Sequence, residues 1–210
     1  MRWSLCAREM CFANPLLSQF FLNGKVLPVD RGAGVDQPAL RVAARQLARG
    51  DWVHLFPEGR IHFDGRLGPF RWGAGKLVCD ARAANGGADP IVLPFYHSGM
   101  GDVVPMLTVL PRPGNAVHVT VGKPIDLSAA TCRCNDPSHD QQAVWREITA
   151  LMRAEVAALE ARAPPNRDQL QGRPEPERIR QRRARRGEGS ELGGGGGGGG
   201  GGSRPAEGPA

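Results

Sequence analysis

From Lys25 to Arg60 two short apolar runs bracket one helical period, and each run empties into a polar turn. KVLPV (25–29) delivers Asp30-Arg31-Gly32, and WVHLF (52–56) delivers Pro57-Glu58-Gly59-Arg60. Between them, Asp36 and Pro38 open a helix that runs to Arg49. Leu40, Ala43, Ala44 and Leu47 form one stripe of it, and Gly50 is its stop. Strand, helix and strand in this order argue for an α/β layered domain, with a mostly parallel sheet flanked by helices. In such a sheet ligands sit beyond the carboxyl ends of the strands, where both polar turns fall.

The remaining pattern extends this order. LLSQFFL (16–22) reads as a short helix closed by Asn23-Gly24, and Gly73 to Ala84 as a longer one closed by Asn85-Gly86-Gly87. PIVLPF (90–95) is wholly apolar, as a strand covered on both faces would be, whereas VHVTV (117–121) alternates and belongs nearer an edge. The clearest helix spans 138 to 159. Ser138 and Gln141 suit a capping box, and Val144, Ile148, Leu151, Met152, Glu155 and Leu159 recur at helical spacing, a face whose apolar members are expected to pack on the sheet.

Beyond residue 162 the pattern stops. Ala163 to Ala210 is rich in Pro, Arg, Glu and Gly and ends in glycines 193–202, a composition that cannot bury enough apolar surface to order itself. A disordered tail is therefore expected, with the folded unit at 1–162. Residues 1–161 hold 17 Lys and Arg against 15 Asp and Glu, a net +2, and residues 162–210 hold 10 against 6, a net +4, so the larger share of the net positive charge lies from residue 162 on. RIRQRRARR (178–186) would attract an anionic surface. No aromatics interleave with it, and the folded part offers no basic stripe, so no nucleic-acid partner is expected.

Five cysteines at irregular spacing, Cys6, Cys11, Cys79, Cys132 and Cys134, do not form a secreted disulfide framework and are read as reduced thiols. Cys-x-Cys is tighter than zinc ligands usually stand, so no metal is expected. Apolar runs fall short of the ~20 residues that span a bilayer. Gly73-Ala74-Gly75-Lys76 lacks both the earlier glycine and the following Ser or Thr of a phosphate loop, so no nucleotide cofactor is implied.

Phe56-Pro57-Glu58-Gly59-Arg60 carries chemistry. Pro57 fixes the exit angle, Gly59 permits close backbone approach, Glu58 can accept from hydroxyls, and Arg60 can grip a phosphate in a fork. Hydroxyls beside a phosphate describe a glycerol phosphate head group, and Arg31 would complete the clamp. Taken alone, the five residues also suit a surface turn with an ion pair.

The flanking blocks favour the first reading. GKVLPVDRG (24–32), DWVHLFPEGR (51–60), RWGAGKL (71–77), PIVLPFYHSGMGDVVP (90–105) and GKP (122–124) resemble, in order and spacing, the glycerolipid acyltransferases and specifically the tafazzins. The resemblance runs from Arg2 to about Leu159. It implies acyl transfer between phospholipid and lysophospholipid at a membrane surface, with cardiolipin remodelling in mitochondria as the family's best-known role. It matches Arg31 to the family's second block, Phe56 to Arg60 to the third and Pro94 to the fourth, the second and third binding the acceptor's glycerol phosphate.

One block is missing. The family's catalytic His-x-x-x-x-Asp pair belongs upstream of the second block, yet no histidine precedes His54. Only His97 and Asp102 satisfy the spacing, after the fourth block, where a loop histidine satisfied by a carboxylate is the expectation. The chain therefore reads as an N-terminally shortened acyltransferase without an assigned catalytic residue, and weak or no turnover is expected. A non-catalytic phospholipid-binding domain at an anionic membrane is the alternative.

Overall fold

A computed structural model describes residues 1–62, 64–104, 110–165 and 177. The chain divides into two units, Met1–Arg173 and Pro174–Ala210. Apart from residues 163–165 and Glu177, the tail expected to be disordered lies outside the described residues.

The first unit is α/β. Its centre is a three-stranded, fully parallel sheet of β1 (Arg2–Ala7), β2 (Val26–Val29) and β3 (Trp52–His54), in the order β2-β1-β3. Helices α1 (Arg8–Cys11) and α2 (Pro15–Asn23) connect β1 to β2, and α3 (Pro38–Ala48) connects β2 to β3. Asn14 caps α2 by accepting from the Leu17 amide, with Pro15 already in a helical φ.

After β3 come α4 (Gly73–Ala84), β4 (Phe95–Ser98), α5 (Met100–Val103), β5 (His118–Val121), α6 (Ser128–Thr131) and α7 (Gln141–Glu160). β4 and β5 pair antiparallel, Phe95 opposite Val121 and Ser98 opposite His118.

Two apolar clusters hold these layers. In the first, Leu27, Ala39, Ala43, Ala44, Leu77 and Ala81 pack α3 and α4 on the sheet, together with Trp3, Leu5 and Val53. In the second, Val78 and Cys79 of α4 meet Leu127, Ala130, Val144 and Ile148. Helix α4 is thus buried on two faces. Gly75 makes this possible: a Cβ there would run into the Trp145 carbonyl of α7, and its amide donates to Thr149 Oγ1 at 3.0 Å.

Several expectations change. The apolar face of α7 packs chiefly on α4, which lies between it and the parallel sheet, and it meets α6 and, through β4, the two-stranded sheet as well. The cap of α7 is Asp140, accepting from the Gln142 amide, while Ser138 bonds to Asp136 instead. PIVLPF does not form a buried strand: Pro90 and Pro94 bring no N–H to a ladder, Ile91 is 82% exposed, and pairing starts only at Phe95.

Four of the five cysteines are not reduced thiols. Cys6–Cys11 and Cys79–Cys134 are disulfides, because the β1–α1 corner and the α4–α6 contact bring their Cα atoms to 6.2 and 5.3 Å, within bridging range. Cys132 is free and exposed.

His54 packs between Phe56 and Phe95, with ring centroids 4.5 and 5.1 Å away, and its buried Nε2 has no hydrogen-bond partner among the described residues. Burial first, then repulsion from Arg2 and His97, holds its pKa below the ordinary 6.5. Protonation then favours the unfolded chain as pH falls through 6.5. The carboxylates with lowered pKa, Asp30, Asp51, Asp126 and Asp136, act below their ordinary 3.8 and do not enter this window. Unfolding free energy measured in urea is therefore expected to decline from about pH 7 to 5.5. His54→Phe should flatten that decline, and an unchanged slope in the variant would rule out His54 as its source.

Candidate functional site

The two polar turns occupy one edge of the parallel sheet. Val29 pairs with Ala7 of β1, and His54 pairs with Ser4. Counting on from these registers, Pro57 stands level with Ala7, and Arg31 lies two residues past Val29. The strands that deliver Arg31 and Glu58 to Arg60 are separated only by β1, an interval of about 10 Å.

The Arg31 loop is braced from three sides. Gln37, buried at the start of α3, accepts from the Asp30 amide at 2.8 Å. Its own amide donates to the Asp30 carbonyl at 2.9 Å and to the Gly34 carbonyl at 2.6 Å. Arg8 of α1 forks onto Asp30 at 2.6 and 3.2 Å, which raises the Arg8 pKa and lowers that of Asp30, first through the hydrogen bond. Glu9 of α1 lies 3.3 Å from the Arg31 guanidinium, which also approaches Met10 Sδ at 3.5 Å. Arg31 is thus held over α1, and an incoming phosphate would compete with Glu9 for it.

The second turn is braced from within. The Gly59 amide donates to the Phe56 carbonyl at 3.1 Å, with Gly59 at φ +64°, a conformation that suits glycine. The Arg71 amide donates to the Pro57 carbonyl at 2.7 Å and closes the base. Glu58 Oε2 accepts from the Gly68 amide at 2.8 Å and lies 3.4 Å from His62 Nε2. Glu58 Oε1 makes no hydrogen bond among the described residues and remains able to accept. Arg60 donates its Nε to His62 Nε2 at 3.2 Å and pairs with no carboxylate among the described residues. Phe56 is exposed at the mouth of the turn.

Arg31 and Glu58 to Arg60 therefore share an edge but make no mutual hydrogen bond. Pro94 is placed differently: it is buried before β4, its carbonyl accepting from the Gly122 amide at 2.9 Å and its ring against the Gly122 backbone. His97 lies on β4, not in a loop, and its buried Nδ1 has no hydrogen-bond partner among the described residues.

Gln37, Arg8, Glu9, His62, Gly68 and the Arg71 amide are supports that sequence reasoning did not assign. Only His62 left a local trace, four residues after Glu58. Among the described residues, no cluster of three or more His, Cys, Asp or Glu could hold a metal ion.

An acyltransferase family model matches residues 1–113. The chain is 39% identical over 130 residues to Tafazzin of Drosophila melanogaster, covering 61% of this chain and 33% of the relative. It is 35% identical over 133 residues to N-acylphosphatidylethanolamine synthase of Arabidopsis thaliana, covering 60% and 45%. It is 38% identical over 122 residues to Taffazin of Dictyostelium discoideum, covering 58% and 42%. The chain spans less than half the length of these curated relatives. No solved structure matches it. With more than half of its residues under the family model, and both polar turns at the carboxyl edge of its sheet, the chain belongs to the acyltransferase family and is similar to its tafazzins.

Proposed function

We propose that this chain binds the acceptor for phospholipid–lysophospholipid acyl transfer of the tafazzin type. The observation that carries this reading is the shared sheet edge of Arg31 and the Phe56–Arg60 turn, one strand apart. Two guanidiniums and the free Glu58 Oε1 match a phosphate next to glycerol hydroxyls.

In the reaction, an acceptor hydroxyl oxygen attacks the acyl carbonyl of the donor. A new ester C–O bond forms, the donor ester C–O bond breaks, and the hydroxyl proton passes to the departing lysophospholipid oxygen. This chain's share is to hold the acceptor phosphate on Arg31 and Arg60 and to orient its hydroxyl through Glu58. No residue is assigned as the base that carries the proton. Cardiolipin remodelling in mitochondria is the specific role we propose, on the likeness to tafazzins.

The lipid has to be reached in a bilayer. Among the described residues no helix is long and apolar enough to cross one. Helix α2 instead exposes Leu16 (82%), Leu17 (37%) and Phe20 (69%) on one side, and Lys25 is the sole charged side chain from Met10 to Val29. Such a face suits shallow insertion at a lipid interface. It adjoins α1, whose Arg8 and Glu9 grip the Arg31 loop, so insertion would bring that loop to the head groups.

Titration with sn-glycerol 3-phosphate tests the clamp. Arg60→Gln is expected to weaken binding about tenfold, as the loss of one charge-assisted bond does. Equal affinity in wild type and variant would remove Arg60 from the site. Transfer to lysophospholipid by the same protein separates an enzyme from a binding domain. Co-sedimentation with phosphatidylcholine and cardiolipin vesicles tests the membrane face. Phe20→Asp should reduce the bound fraction severalfold, and unaltered sedimentation would place the contact elsewhere.

A further inference from the structure

Helix α7 carries Arg146 and Arg153 seven residues apart, hence on one face and about 10 Å apart along its axis. They rim an open groove of about 280 Å³, with Thr149 and Ala150 between them and Phe70 and Trp72 along the opposite wall. This groove does not lie between the two polar turns: neither Arg31 nor any residue of 56–60 lines it.

The two guanidiniums at its rim are not spent on carboxylates. Arg8, Arg31, Arg41, Arg82 and Arg133 each pair with a carboxylate. By contrast, Arg146 donates to Gln142 Oε1 at 2.9 Å and Arg153 to the Gly68 carbonyl at 3.0 Å, both neutral acceptors. Neither meets a carboxylate among the described residues. Two uncompensated guanidiniums beside an aromatic wall complement one kind of ligand, an anion that continues into an apolar chain.

We propose that the α7 groove is a second lipid site, taking a single-chain amphiphile with a phosphate head. The phosphate sits between Arg146 and Arg153, and the chain lies on Phe70 and Trp72. The groove is near the lower end of the volumes that ligand pockets occupy, which fits part of one chain and not two.

Its position ties it to the first site. Arg153 holds the Gly68 carbonyl, and the Gly68 amide holds Glu58 Oε2. A phosphate that draws Arg153 away acts on the segment that fixes Glu58. Exchange between two lipids needs a place for each, and that role, unlike the binding itself, rests on the acyl transfer proposed above.

The groove has its own reporter, because Trp72 stacks on Trp145 at 5.7 Å. Tryptophan emission of the full chain is titrated with dodecyl phosphate below its micelle-forming concentration. Dodecyl maltoside supplies the chain without the charge, and inorganic phosphate the charge without the chain.

The expected result is a saturable change with dodecyl phosphate alone, lost in Trp72→Phe and shifted about tenfold or more to weaker binding in Arg146→Gln/Arg153→Gln. Both arginines are exposed, and circular dichroism of the double variant confirms that α7 persists. Three results overturn the proposal: undiminished affinity in the folded double variant, an equal response to dodecyl maltoside, or saturation by inorganic phosphate alone. Loss on Arg31→Gln with retention in the α7 variant would assign the amphiphile to the first site and leave the clamp standing.

Discussion

Strand β1 is the constraint on which the site depends. It pairs with β2 on one side and β3 on the other, both in parallel, so its registers fix how far the Arg31 loop and the Phe56–Arg60 turn project and how far apart they stand. A one-residue slip on either side would turn the strand over and carry its polar turn away from the other. The chain protects this geometry by bracing each turn separately. Gln37, Arg8 and Glu9 hold the first, and Gly68, His62 and the Arg71 amide hold the second. Two preorganised cations on one edge cost less to bring to a phosphate than two mobile ones.

Local pattern sufficed for the elements with strong ends. Helices α2, α3 and α4 lie where the Asn23-Gly24 stop, Pro38, and the Gly73 to Asn85 signals put them. It did not suffice for β1, whose RWSLCA is short and mixed in polarity. That segment is a strand because two parallel neighbours supply its hydrogen bonds, and one of them lies some fifty residues away. The stretch 90–94 failed in the opposite sense: apolar content suggested a buried strand, but two prolines withhold the donors that a ladder needs.

The same distinction separates the legible from the illegible parts of the site. The placement of Arg31 and Phe56 to Arg60 at the carboxyl edge of the sheet could be read because each follows an apolar run directly in sequence. Their supports could not, since Gly68 matters to Glu58 only once a ten-residue excursion folds back, and Arg153 reaches Gly68 across 85 residues. The disulfides belong to this class as well. Cys79 and Cys134 are 55 residues apart and meet only because α4 and the α6 end are packed together.

The central claim is that Arg31 and Arg60 act on one phosphate. A double-mutant cycle on sn-glycerol 3-phosphate affinity, with Arg31→Gln, Arg60→Gln and the pair, tests it most directly. Convergence on a shared ligand group predicts a coupling energy of about 0.5 kcal/mol or more between the two arginines. Additive losses, agreeing within about 0.3 kcal/mol, would mean that the two turns share a sheet edge without sharing a ligand.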